Sequence, residues 1–396
     1  MTERSADGVD GGDVANIIAL APNSWHGPRM NRQQLLSRLG VRHHVLYSTG
    51  PLHKALAPGA AWWPRTIVID NVHVDLVPRW LAGGLHRPVT MPLVTWALAA
   101  RWRRLVRKEG RPGAPLVAWV FHPRYWPFVD AIGPDLLIYH AYDFYHQQGR
   151  WDEERASAEK QLATNADLVV ASSAPIAQYL SECEGSTPLV VENAAEYATF
   201  AIDHDATPVP DDLAAIPRPR IGYVGALNRK VDFALLAALA VRLRRCHFVF
   251  VGALGRLDDE TARSVDQLKA LPNAHFLGFK PYGELPPYGG HMDVNLLAYR
   301  VSEEVWTEGI YPLKLHEYLA TGKPVVSADL PSVRPFRDVV RIVSSPEEWA
   351  AALEAELACK SDVAVAARRS VARNNDWSVR AALLDERLTA LVRSSG

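Results

Sequence analysis

Residues 311–327 read YPLKLHEYLATGKPVVS, and the punctuation in that stretch dictates a helix followed by a strand. Pro312 suits the opening of a helix, where its missing N–H would be unpaired anyway. Gly322 suits the position just past the helix end, where the chain turns left-handed. The run that follows, PVVS, is short, apolar and β-rich, as a buried strand should be. Helix, glycine and buried strand together make the repeat of a parallel α/β sheet.

Outward from this stretch the same alternation continues. Strands are predicted at 220–224, 247–251, 274–277, 294–297 and 324–327, with helices near 233–244, 258–270, 313–320 and 346–358. A last amphipathic stretch covers 379–392. Upstream, strands are predicted at 16–21, 41–47, 66–70, 74–77, 116–121, 136–140, 168–171 and 189–191, and helices at 32–39, 92–108, 151–165 and 174–182. Between the two series, residues 203–219 carry four prolines, four aspartates and no apolar periodicity, which reads as a linker. The expected architecture is α/β, with two doubly wound, Rossmann-like domains facing a cleft. The expected boundaries are 1–205, a linker at 206–217, 218–375, and a terminal helix at 376–396 that packs back on the first domain.

A length of 396 residues agrees with two domains. The net charge of −1 speaks against a general nucleic-acid binder. That sum conceals an asymmetry, because residues 29–124 hold 15 Lys or Arg against three acids, whereas 125–217 hold three against 16. The three cysteines, Cys183, Cys246 and Cys359, have no paired spacing, which fits a reducing compartment. The first fifteen residues are polar and acidic, unlike a secretory signal. A cytoplasmic protein is expected, and the excess of arginine over lysine, 34 to 9, points to a GC-rich bacterial genome.

In open α/β sheets ligands bind beyond the carboxyl ends of the strands. In the first domain those positions hold Trp25 and His26, then His122, then Tyr142 and Asp143. Asp143 is placed to accept a proton from an attacking hydroxyl, although capping the next segment is the plainer use of a loop aspartate. Lone histidines after strands are commonly structural. In the second domain Lys314 lies in the first helical turn, where free N–H groups already favour phosphate. Glu317, one turn on, can accept from ribose hydroxyls, and the plainer reading is an exposed ion pair. Gly225 allows close backbone approach to a phosphate. Neither GxGxxG nor GxxxxGK[ST] occurs, which disfavours an oxidoreductase and a P-loop enzyme.

Three stretches, RIGYVGALNRKVDFALL (220–236), NAHFLGFKPYGELPPYGGHMDVNLLAY (273–299) and PLKLHEYLATGKPVVS (312–327), resemble the GT-B nucleotide-sugar glycosyltransferases. The subgroup resembled is the bacterial one of the xanthan glucuronosyltransferase and the teichuronic-acid or exopolysaccharide enzymes. MNRQQLLSRLG (30–40), IYHAYDFY (138–145), DLVVASSAPIAQYL (167–180) and VVENAAEYATF (190–200) match it more loosely. The resemblance implies that Lys314 meets the donor diphosphate and Glu317 the ribose, with Leu315 among the donor-binding residues. It implies Gly225, Asn228 and Arg229 on the phosphate side, and Phe279, Tyr282 and Leu285 near the base. Asp143 falls where inverting members carry their catalytic aspartate. Retaining relatives carry two glutamates with seven residues between them, but Gly309 stands at the earlier position here, and Glu308 is shifted by one.

The resemblance therefore implies a hexosyltransferase-type enzyme that inverts. Its co-substrate would be a UDP- or dTDP-linked sugar, with no cofactor and no metal. Trp306 and Glu308, in the loop 301–311, are candidates for donor-sugar contacts, and Trp25, His26, His122 and Tyr142 for acceptor contacts. A glycan, a lipid-linked saccharide or a small natural product would serve as acceptor, in polysaccharide or natural-product biosynthesis. Residues 96–111 (WALAARWRRLVRKEGR) combine an apolar face with five cations before Glu109, which suits peripheral contact with an anionic inner membrane face. A solvated helix packed on the sheet explains that stretch equally well. Two other functions remain open on sequence, a nucleotide-sugar 2-epimerase of the same fold and a non-catalytic nucleotide-binding module.

Overall fold

Two parallel sheets organise the chain. The computed structural model describes residues 13–27, 29–52, 63–78, 90–147, 151–182, 186–301 and 309–395. The chain divides into one unit of Met1–Glu192 with Arg380–Gly396, and a second of Asn193–Val379.

The first unit holds β1 (Asn16–Leu20), β2 (His44–Ser48), β3 (Arg65–Ile69), β4 (Val72–Leu76), β5 (Leu116–Val120), β6 (Leu136–Ala141), β7 (Leu168–Ala171) and β8 (Leu189–Val190). Their order across the sheet is β3-β4-β2-β1-β5-β6-β7-β8. All neighbours pair in parallel except β3 and β4. That hairpin departs from the all-parallel expectation. It turns on Asp70 and Asn71, which take φ of 49° and 65°, values that short polar side chains tolerate. Helix α1 (Asn31–Leu39) follows β1. Helix α2 (Met91–Glu109) buries Leu98, Ala99, Trp102 and Val106 in the unit's core. Asp75 of β4 fastens α2, accepting from Arg101 Nη2 and Trp102 Nε1, each at 2.7 Å.

The second unit holds β9 (Arg220–Val224), β10 (His247–Val251), β11 (Ala274–Gly278), β12 (Val294–Leu297), β13 (Val325–Ala328) and β14 (Arg341–Val343), in the order β11-β10-β9-β12-β13-β14. Every pair in this sheet is parallel. Helix α3 (Lys314–Thr321) starts two residues after Pro312 and ends at Gly322, whose φ is 77°.

The linker expected at 206–217 belongs instead to the second unit. Leu213 and Ile216 are buried in its core with Phe200. Asp212 accepts from Tyr288 Oη at 2.8 Å and pairs with Lys280 at 2.7 Å. Two apolar anchors and a paired aspartate suffice to hold a proline-rich stretch down. Helix α4 (Trp377–Ser395) closes the chain. Its later part groups with the first unit, where Asp385 accepts from Arg42 Nη1 at 2.8 Å and lies 2.6 Å from His43 Nε2.

Candidate functional site

In the second unit the candidate site forms where β9, β10 and β12 release the chain. Gly225 follows β9 with φ of 139°, and a Cβ there would lie 2.7 Å from Lys314 Cε and 2.9 Å from its Nζ. The missing side chain is thus what lets the lysine in. Gly252 follows β10 in the same way, since a Cβ on it would strike Gly225 O at 2.0 Å. The two turns stack because both residues are glycine.

Lys314, the first residue of α3, donates to Tyr223 Oη at 2.9 Å and to Tyr299 Oη at 3.2 Å. Its ammonium lies 4.3 Å from the centre of the Tyr223 ring, within cation–π range. Burial opposes the charge, but Tyr223, Tyr299 and Tyr318 outweigh it and hold the lysine well above its ordinary range. Glu317 lies one turn further along the helix and accepts from Tyr282 Oη at 3.2 Å. Burial raises its carboxyl to about 7, with Glu196 adding to the rise and Tyr282 and Lys314 opposing it. A fixed cation and a half-ionised carboxylate therefore stand one turn apart.

Asn228 Oδ1 accepts from Lys230 N at 2.9 Å and shapes the turn after β9. Arg229 and Phe279 are exposed, Phe279 by 70%. Tyr282 packs edge-on against Phe200 at 5.7 Å, and Leu285 packs against the core. Leu315 has a wholly buried side chain, and its N–H donates to Pro312 O at 3.1 Å. Trp306 and Glu308 lie outside the described residues. Sequence reasoning missed the tyrosine collar. Its signal was tyrosine at two strand ends, Tyr223 within β9 and Tyr299 after β12.

In the first unit Asp143 follows β6, half-buried, with Oδ1 accepting from Phe144 N at 3.0 Å. Tyr142 and His122 both contact Tyr145, with ring centres 5.5 and 4.6 Å away. Tyr145 is itself fixed by donating to Phe121 O at 2.6 Å. His122 Nδ1 accepts from Arg124 N at 3.1 Å, and burial pushes the imidazole down to about 3, so it is neutral. Trp25 is buried edge-on against Tyr47 at 4.9 Å, whereas His26 is exposed. Tyr142 and His122 thus meet around Tyr145, and Asp143 follows Tyr142 directly in the chain. Among the described residues, no group of His, Cys, Asp and Glu is placed to hold a metal ion. No helix among them is long and apolar enough to cross a membrane.

Two parallel α/β sheets in two units match, at the level of the fold, the GT-B glycosyltransferases. Residues 218–358, within the second unit, match the family model described as glycosyl transferases group 1. The chain is 30% identical over 232 residues to TuaH of Bacillus subtilis (strain 168), named as a teichuronic acid biosynthesis glycosyltransferase. That match spans 56% of this chain and 56% of TuaH, so it covers about half of that relative's length. Sucrose-phosphate synthase from Thermosynechococcus elongatus shares the fold with a TM-score of 0.67 and 16% identity, over 96% of this chain and 100% of that one. Anabaena HepE, solved in complex with UDP, shares it with a TM-score of 0.67 and 16% identity, over 95% and 100%.

Proposed function

We propose that this protein is a glycosyltransferase moving a sugar from a nucleoside-diphosphate donor, UDP-linked by preference, to an acceptor hydroxyl with inversion and without a metal. The observation that carries the reading is the pairing of Lys314 and Glu317 one turn apart beside Gly225. Lys314 takes the diphosphate, and Glu317 accepts from the ribose. Asp143 accepts the acceptor's proton as its oxygen attacks the anomeric carbon. The bond from that carbon to the β-phosphate oxygen breaks, and the electron pair leaves with the nucleoside diphosphate. Lys314 stabilises that leaving charge. The UDP bound to HepE favours uridine as the base. The name of TuaH favours a cell-envelope polysaccharide as product, although a natural-product acceptor fits the same chemistry. Gly309, standing where retaining relatives carry an acid, favours inversion.

Helix α2 belongs to the same reading as a peripheral membrane contact, cytoplasmic in orientation. It leaves Leu93 71% and Trp96 67% exposed, with Arg104, Arg107 and Lys108 further along. Co-sedimentation with anionic vesicles that is lost at high salt supports this contact, and no binding at low salt removes it.

Thermal unfolding with UDP and dTDP tests the donor site, since a ligand of the native state raises Tm by mass action. Asp143→Asn tests the chemistry. Nucleotide stabilisation should persist while turnover of a donor sugar is lost, and retained turnover removes Asp143 as the base.

A further inference from the structure

Arg32, the second residue of α1, is wholly buried, and none of its three guanidinium nitrogens has a hydrogen-bond partner. Its Cζ lies 4.9 Å from the centre of the Tyr142 ring. The Tyr47 and Tyr142 hydroxyls lie near enough to Arg32 for loose contacts with its guanidinium, and His140 feels its charge, but none of them meets a guanidinium nitrogen in good hydrogen-bonding geometry. His140 is also wholly buried with both ring nitrogens unpartnered, and so is Trp119 Nε1, on a ring 6.3 Å from His140. Trp119 of β5 and His140 and Tyr142, in and just after β6, lie on alternate positions, which sends their side chains to one face of the sheet.

Donors outnumber acceptors in this group. A buried cation without a partner costs several kcal/mol, and a guanidinium fork matches the paired oxygens of a phosphate or carboxylate. Tyr142 is the half-buried member of the group, and it immediately precedes Asp143. We propose that Arg32, with His140 and Trp119, forms an oxyanion subsite that holds a phosphate or carboxylate of the acceptor beside Asp143. The inference rests on the reading of Asp143 as the base on the acceptor side.

Thermal unfolding of the full chain tests it, with inorganic phosphate and acetate as probes. Lys314→Met serves as the background, so that the donor lysine cannot report. Phosphate or acetate should raise Tm saturably in that background. Preference for phosphate indicates a phosphorylated acceptor, and preference for acetate an acidic sugar. Adding Arg32→Met should weaken the response at least tenfold, and in anion-free buffer it should leave Tm unchanged or higher, because an unpaired buried charge has gone. Arg32→Lys keeps the charge without the fork and should also weaken the response at least tenfold, which preserves the test if the methionine variant fails to fold. No response in Lys314→Met, or an undiminished one in either arginine variant, overturns the proposal. A Tm loss in anion-free Arg32→Met with an intact phosphate response would mark Arg32 as a packing residue and overturn it equally. Failure of the donor reading is distinguishable, since UDP would then fail to stabilise the wild-type chain while the phosphate response at Arg32 persists.

Discussion

Lys314 and Arg32 occupy comparable places in the two sheets, each in the first turn of a helix that follows a central strand and each against a tyrosine ring, yet they differ in how well they are hydrogen-bonded. Lys314 is met by two tyrosine hydroxyls and a ring face. Arg32 is sealed in against the Tyr142 ring, with only loose contacts to the Tyr47 and Tyr142 hydroxyls and no well-formed hydrogen bond. Neutral hydroxyls keep an ammonium charged without cancelling it, so an incoming diphosphate finds a cation already positioned and loses little in exchanging partners. An unpaired guanidinium gains more from an anion, and the free protein bears a larger cost. The second unit is preorganised for its ligand, and the first is completed by one.

The hardest test of that contrast is Asp143→Asn. A general base contributes on the order of 10²–10⁴-fold, so kcat should fall by about 10³-fold. Affinity for UDP should stay within error, because the two sites lie in different units. A parallel loss of UDP affinity would show that the units do not bind independently.

Lys314→Met comes next. Losing a charge-assisted contact to the diphosphate, worth about 1.5–3 kcal/mol, should weaken UDP binding by one to two orders of magnitude in calorimetry. Gly225→Ala reaches the same lysine indirectly. The added Cβ displaces the side chain, and φ of 139° disfavours any non-glycine residue. UDP affinity should drop by about tenfold (~1.4 kcal/mol) and Tm should fall as well, whereas Lys314→Met should leave Tm of the free protein nearer the wild-type value.

This pair of sites was unequally legible in the sequence. Lys314 and Glu317 could be read because they stand one turn apart in a helix bounded by Pro312 and Gly322. The tyrosine collar could not, because Tyr223 and Tyr299 lie 91 and 15 residues from Lys314 and meet it only through the sheet. Arg32, in NRQQLLSRL, carries no local sign of burial, and a charged residue in a polar helix start reads as solvated. The central strands were legible because apolar β-rich runs are decided locally, and β9, β10 and β12 fall at the expected bounds. Strand β14 was not, being three residues long with an exposed first position. The stretch at 206–217 misled because composition reports prolines and aspartates but not which apolar residue finds a core.

The smallest expected effect is the most specific to the second unit. Glu317 has its carboxyl raised to about 7 by burial, above the ordinary glutamate value. Between roughly pH 4.5 and 7 the folded chain therefore keeps a proton that the unfolded chain has released. That contribution to stability is fully present below the unfolded pKa and is lost as pH rises toward 7. Ribose hydroxyls donating to Glu317 favour the ionised form, so nucleotide binding should release a proton in the same window. Affinity should consequently rise from about pH 5.5 to 7 and flatten above it. A UDP-sugar is the better probe than UDP, whose terminal phosphate titrates near pH 6. Calorimetry in buffers of different ionisation enthalpy counts the proton directly. Glu317→Gln should bind about tenfold more weakly at pH 7.5, since a hydrogen bond to a charged acceptor becomes one to a neutral amide. It should also release no proton and lose the slope. An equal slope in both proteins would place the titrating group elsewhere and leave Glu317 with no part in holding the ribose.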